Sequence, residues 1–415
     1  MNKRRDAQKS RSSQRKRAGQ QDTSSNSGER SKYGTGLDGP DPYFDRVRPV
    51  LIAAIRHGGI KGIAEFFDRA VSALEAMTPE LSDDLVDEIL GGVLFTQIVQ
   101  MYDRGWQPRE LAHIARHRLG RHEESFLMTG IAMHATCASH RDLAPAEWLA
   151  QLHDLAVPQK DSREAVQEWA AGWRAQAGLS TAAAWRPATQ LVGLLGGLDE
   201  VPALLPLPCE WSEDVAVDPH PHFSDLTELT AALAEAEKGS DPREAWEATV
   251  TAHTVMAERA FHAAIADAKC APLTAQVRSR RVLLDGPDAE TKADLLRVIC
   301  EHNAVRTASF VGLGISAIVG RPYDLDAAEA MYTSTVRQCE TWAAASGDSF
   351  TAVAHEALER LDFMLEDRRE SLEEAVFEAN GRVATRLLAQ RDAAASAVFE
   401  VLFPTACEQP WNGAA

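Results

Sequence analysis

The stretch that most constrains the fold runs from Val277 to Gly347, because its turn residues leave few ways to divide it. VRSRRVLLD (277–285) is a β-branched and leucine run that ends in Asp285-Gly286-Pro287, residues that cannot continue a strand. The following AETKADLLRVICEHN (289–303) spaces Ala293, Leu296, Val298, Ile299 and Cys300 for one face of a helix. Glu290 stands early and His302 late, as the helix dipole favours. Two apolar runs, RTASFV and ISAIVG, flank Gly312-Leu313-Gly314 and predict a β-hairpin. Asp324 is expected to cap a long helix whose Ala328, Met331, Tyr332, Thr335, Cys339 and Trp342 share one face, and Gly347 stops it. The unit reads β-α-β-β-α, with helices on one face of a small sheet.

The rest of the chain predicts a mostly helical α+β protein. Residues 1–40 are a polar, basic tail with too few apolar residues to offset the entropy of ordering. Apolar stripes near 44–57, 60–77, 81–103, 108–119, 122–138, 144–155, 162–177 and 182–197 predict an all-helical domain over 41–198. Asp83-Asp84, Pro108 and Gly120 act as its start and stop signals. Five prolines between Pro202 and Pro221 make 199–223 a linker or an irregular packed strap. A helical hairpin is expected over 224–262, the α+β core over 275–347 and long helices over 348–404. In the last, Leu372, Val376, Val383, Leu387, Val398 and Leu402 fall on one side.

The run from Val277 to Ala344 resembles the core of the DUF2786 family, a domain of unknown function common in actinobacteria and also seen in phages. The likeness lies in the strand ending in a turn, the helix with Asn303 near its end, the hairpin, and the helix start GRPYDLDAAEAMYTS. The family's upstream helical hairpin is similar to LTAALAEAEKGSDPREAWEATVTAHTVMAER (229–259). Pro242, Glu244 and Ala245 would stand in its turn and Met256-Ala257-Glu258-Arg259 at its end. MYDRGWQPRELAHIARHRLG (101–120) and AEWLAQL (146–152) look like the amino-terminal half of actinobacterial members, so the likeness spans most of 95–403. It implies a fold but no activity. Where relatives carry a basic Ser-Phe-Arg-Arg run, this chain has Ser349-Phe350-Thr351-Ala352. Trp246 and His253 replace small or polar residues, which implies a different partner surface on the hairpin.

Charge divides the chain unequally. Residues 1–40 hold ten Lys or Arg against four acids, a surplus of six; with a net charge of -18 for all 415 residues, the other 375 carry -24. Lys3, Arg4, Arg5, Arg15, Lys16 and Arg17, spaced by Ser and Gln, can neutralise phosphates without folding, so DNA or RNA is an expected partner. Arg109, Arg116, Arg118 and Arg121, on a helix, glycine turn and helix, are candidates for further phosphate contacts; the plainer reading is a solvated basic face.

Other chemistry finds less support. His113 and His117 at i and i+4, with His122 and Glu123 beyond, have a metal-like spacing, but the interleaved arginines repel a cation, so no metal or other cofactor is expected. His220 and His222 read as loop residues. Gly312-Leu313-Gly314-Ile315-Ser316-Ala317 imitates a dinucleotide fingerprint, yet a strand follows it where a helix is required. Asp285 and Asp288 at the strand end, with Glu301, His302 and Asn303 at the helix end, form the best candidate cleft, in which Asp285, Asp288 and His302 would be catalytic. Cys137, Cys209, Cys270, Cys300, Cys339 and Cys407 lack any C-x-x-C pair and read as reduced residues of a cytoplasmic protein. Neither a secretory leader nor a membrane span is expected. The leading expectation is therefore a cytosolic binding or regulatory protein with a nucleic-acid-binding tail. The alternatives are an enzyme with its cleft at 285–303, and a phage- or plasmid-related accessory protein acting through a protein partner.

Overall fold

The computed structural model describes residues 46–58, 64–137, 141–158, 166–212, 226–238, 242–267, 273–380 and 382–404. Contacts divide the chain between Pro49 and Val50, so all but the first two residues of the first helix belong to the larger unit. Fourteen α-helices and one three-stranded antiparallel sheet make up the described residues, a mostly helical α+β fold.

Eight helices come first: α1 (Arg48–Gly58), α2 (Ala64–Met77), α3 (Asp83–Asp103), α4 (Pro108–Arg118), α5 (Arg121–Cys137), α6 (Ala146–Asp154), α7 (Val166–Ala177) and α8 (Thr181–Gly196). Their ends follow capping chemistry. The Ser82 hydroxyl accepts from the Leu85 amide, and Pro108 opens α4 while the Glu110 carboxylate accepts from the Gln107 amide at 2.9 Å. Helix α3 lies at the centre. Gly130 of α5 meets it so closely that a Cβ there would stand 2.8 Å from Leu94.

The described part of the proline-rich stretch is a packed irregular strap. The Val201 amide donates to the Arg104 carbonyl, Trp106 Nε1 donates to the Asp199 carbonyl, and Trp211 packs edge-on against Trp148. Strap and α4 converge on Arg281. That guanidinium is buried and donates to the Glu110 carboxylate and to the Gly105 and Pro202 carbonyls, with its carbon 5.6 Å from the centre of the Trp106 ring. Such a desolvated pair is tolerable only because both partners keep several hydrogen bonds.

The second half begins with a hairpin of α9 (Thr227–Lys238) and α10 (Pro242–Asp267). Then follow β1 (Arg278–Leu283), α11 (Ala289–Glu301), β2 (Arg306–Phe310), β3 (Ile315–Gly320), α12 (Pro322–Ser346), α13 (Phe350–Asn380) and α14 (Arg382–Leu402). The sheet order is β1-β3-β2. Leu283 faces Ile315 across one ladder and Arg306 faces Val319 across the other. All six residues of β3 are buried, so helices cover both faces of the sheet, not one as the sequence predicts. Strand alternation explains it. Val282 and Ile318 join the core formed with α11 and α12, whereas on the other face Arg281, opposite Ala317, and Arg306, opposite Val319, reach Glu110 of α4 and Asp392 of α14.

Other expectations need correction. Pro322 opens α12 with Arg321 as its N-cap, and Asp324 is buried in the first turn, paired with Arg391. Helix α10 starts at Pro242 and continues past Arg259 to Asp267, so Glu244 and Ala245 are helical. Trp246 and His253 are core residues rather than a partner surface; Trp246 packs edge-on to Trp342 at 4.6 Å. On α14 the buried residues are Arg391, Ala394 and Ala395, while Leu387, Val398 and Leu402 are half-buried; the side chains of Leu372, Val376 and Val383 lie outside the described residues. Cys137, Cys209, Cys300 and Cys339 are free thiols; Cys270 and Cys407 lie outside the described residues. Among the described residues, no helix is long and apolar enough to cross a membrane.

Candidate functional site at the end of the first strand

Strand β1 leaves the sheet after Leu283, and the Leu284 amide still donates to the Gly314 carbonyl of the hairpin turn at 2.8 Å. Gly286 then adopts a positive φ of 76°, and Asp288 follows at 64°, a left-handed conformation unusual for a residue with a side chain. Its carboxylate accepts from the Thr351 hydroxyl at 2.9 Å, which ties the loop to the start of α13. The loop therefore turns into α11 through two left-handed residues, with exposed Asp285 just before them.

Three buried side chains surround Asp285. Lys292, one turn into α11, folds back to donate to the Asp285 carbonyl at 2.7 Å. Its ammonium group also lies 3.4 Å from a Glu340 carboxylate oxygen of α12 and 5.0 Å from the centre of the Phe350 ring. With its side chain 7 % exposed, Lys292 meets a carbonyl, an anion and an aromatic face, the partners that a desolvated ammonium requires. His113 of α4 places Nδ1 3.1 Å from an Asp285 carboxylate oxygen. Burial lowers its pKa, against the opposing pull of Asp285. In the neutral ring, the proton belongs on Nδ1, where the carboxylate accepts it. Gly314 makes room for this ring, since a Cβ there would sit 2.8 Å from His113 Nε2. Tyr332 of α12 completes the group; burial first, then Asp285 and Glu340, hold its hydroxyl protonated. Asp285 itself is 80 % exposed. Chemically, the site pairs a solvent-facing carboxylate with a buried neutral imidazole that donates a hydrogen bond to it, and with a buried cation fixed behind it.

The structure joins only part of what the sequence groups together. Asp285 and Asp288 share one loop, whereas His302 caps the far end of the 13-residue α11, about 20 Å away along the helix axis. There it faces Asp362 and Glu366 of α13 at 2.9 and 3.3 Å, while Glu301 pairs with Arg297. Residues 285–303 therefore do not line one cleft. Sequence spacing alone marks neither Lys292 nor Glu340 nor Tyr332 as a site residue, and it offers His113 only as a metal ligand or as one of three histidines near phosphate-binding arginines. For Lys292 a signal existed: it precedes Leu296 by four residues and Ile299 by seven, placing it on the buried stripe.

His113 and His117 stack with ring centres 6.0 Å apart, yet His113 turns inward to Asp285 and His117 is exposed. Among the described residues, no group of three or more His, Cys, Asp or Glu is placed to hold a metal ion. His220 and His222 lie outside the described residues, as do Lys3, Arg4, Arg5, Arg15, Lys16 and Arg17. On α4 and α5, Arg109, Arg116 and Arg121 are exposed; Arg116 pairs with Glu124 at 2.9 Å and Arg118 donates to the Gly312 carbonyl at 2.8 Å. No family model, curated protein or solved structure matches this chain.

Proposed function

We propose that this chain is a cytosolic binding or regulatory protein of the DUF2786 family that engages nucleic acid through its basic amino-terminal segment. The observation that carries the reading is the charge split: a surplus of six positive charges in residues 1–40 against -24 in the rest. An acidic body repels a phosphate backbone, so attraction concentrates in Lys3, Arg4, Arg5, Arg15, Lys16 and Arg17, with exposed Arg109 and Arg121 as candidates for a second contact. The test is electrophoretic mobility of DNA and RNA with the full chain and with one starting at Pro42, across a salt series. Six phosphate contacts predict a slope of log affinity against log salt of about -5 on duplex DNA, and no shift without residues 1–41. Equal shifts from both chains, or none from either, would sink the reading.

A second reading is an enzyme or small-molecule binder centred on Asp285. It is favoured by three buried polar side chains around one exposed residue: His113 on the Asp285 carboxylate, Lys292 on the Asp285 backbone carbonyl, and Tyr332 close enough to feel the Asp285 charge. Asp285→Asn separates this reading from a structural role, by comparing ligand-induced stabilisation with the ligand-free melting temperature.

A further inference from the structure

Helix α14 lies against β2 and β3 and buries Arg391, Ala394 and Ala395. Its opposite face has no partner. There Arg386, Ala389, Ala393, Ala397 and Glu400 are all exposed, and at 3.6 residues per turn they fall within an arc of about 80°. Val401 borders the same face at 79 % exposure, more than any other large hydrophobic side chain among the described residues. Arg386 and Glu400 are held by no other charged side chain among the described residues, although Arg306 and Asp392 pair close by. The face thus offers small apolar side chains in its middle and one unpaired charge of each sign at its ends.

The order of these residues is palindromic. The five positions are spaced by three, four, four and three residues, so Ala393 is their centre. A two-fold axis through Ala393, perpendicular to the helix, would lay a second α14 antiparallel on the first. It sets Ala389 opposite Ala397 and Arg386 opposite Glu400, and every such contact occurs twice, as an isologous interface requires. The two ion pairs stand about 21 Å apart along the axis and close both ends of the contact. Alanines between them let the helix axes approach to about 8 Å, the short end of the usual range. Charge also fixes the orientation, because a parallel pair would set Arg386 against Arg386 and Glu400 against Glu400. A nucleic-acid backbone fits this face poorly, since it would meet Glu400 as well as Arg386. We infer that the chain self-associates as a two-fold dimer through the outward face of α14, with a second copy of this chain as the partner. One helix pair of this length buries less than the roughly 1,200 Å² of a standard interface, so the dimer is a weak, concentration-dependent one. The inference is independent of the amino-terminal tail.

The test is sedimentation velocity of the full-length chain over a concentration series at about 0.15 M salt. The expected result is a monomer–dimer equilibrium. Ala393→Glu sets two carboxylates face to face on the axis and should leave only monomer. Glu400→Arg and Arg386→Glu each create two like-charge contacts and should weaken the dimer roughly tenfold, whereas the Arg386→Glu/Glu400→Arg pair should return it to within about threefold of the parent. Glu359→Arg, at an exposed position of α13, changes the total charge as much as Glu400→Arg does and should leave the dimer unchanged. All these positions are exposed on helices, so the variants keep the fold, which unchanged melting checks. Four results would overturn the proposal: monomer across the whole series, a dimer that survives Ala393→Glu, a double variant as weak as either single one, or equal weakening by Glu359→Arg.

Discussion

The two ends of α11 both carry polar clusters with exposed carboxylates, but only the carboxy-terminal end adds a fully buried ion pair. At the amino-terminal end, Lys292 is buried, but the carboxylates beside it, Asp285 and Glu340, are 80 % and 53 % exposed. At the carboxy-terminal end, His302 also faces exposed carboxylates, Asp362 and Glu366, but beneath it lies a second ion pair with both members dry: Arg391 of α14 is 8 % and Asp324 of α12 is 1 % exposed. Arg391 also donates to the Asn303 carbonyl at 3.1 Å, and the Asn303 amide donates to the Ile299 carbonyl. His253 of α10 packs beside them. Four helices thus meet in one network supplied by the protein alone. Such a network fixes how α10 and α14 seat on the core. The open end leaves carboxylates free to exchange partners with a ligand, which is where a binding function belongs.

The dry end should break hardest. Arg391→Met leaves the Asp324 carboxylate buried without its cation, and the expected loss is about 3–5 kcal/mol in the free energy of urea unfolding. Adding Asp324→Leu should recover part of that loss, since an apolar pair strands no charge. A loss below about 1 kcal/mol for Arg391→Met would show that water reaches this end as well, and the contrast between the two ends would fail.

Acid tests the same network through His253. Burial, and then the nearby His302, depress its pKa to about 4, and Arg391 also lowers it, against the smaller opposing pull of the polar groups of His302 and Asn303 beside it. Its folded pKa lies below the ordinary value near 6.5, so the unfolded chain binds the proton more readily. The stability that its neutral form contributes is complete above pH 6.5 and drains away as pH falls toward 4. The gap corresponds to about 3 kcal/mol. His134, buried in α5 beside Tyr102 with a pKa also near 4, slopes the same way. His253→Gln should therefore remove a large share of the histidine-driven slope between pH 6.5 and 4 in chemical unfolding curves, leaving what His134 and His113 contribute. An unchanged slope would mean that His253 is already protonated or solvated in the folded chain.

What was legible in the sequence follows from how local each signal is. Turn residues mark the β-α-β-β-α unit on their own: Gly314 and Gly347 take the positive φ that only a glycine adopts without strain, and Asp285-Gly286-Pro287 stops β1. The apolar face of α12 was readable for the same reason, since helical spacing needs no knowledge of the partner. The buried ion pairs were not. Glu110 and Arg281 are separated by 171 residues and Asp324 and Arg391 by 67, and a charge read alone is assigned to solvent. That prior also reversed α14, where alanines and an arginine face inward while Leu387 and Leu402 stay half-buried. At the candidate site, Asp285 and Asp288 could be named because they end a strand. Lys292, Tyr332 and Glu340 depend on how α12 crosses α11, which local spacing does not encode.

The smallest stability effect should come from Asp285→Asn at the open end. Its carboxylate is mostly in water, and asparagine keeps an oxygen to accept from His113 Nδ1, so the melting free energy should move by less than about 1 kcal/mol. Its backbone carbonyl, which holds Lys292, is untouched by the substitution. If the open end binds or transforms a small molecule, this variant should lose ligand-induced stabilisation in a thermal-shift screen while melting like the parent without ligand. A ligand-free loss as large as that of Arg391→Met would instead make Asp285 part of the scaffold. The two ends of α11 would then do the same job.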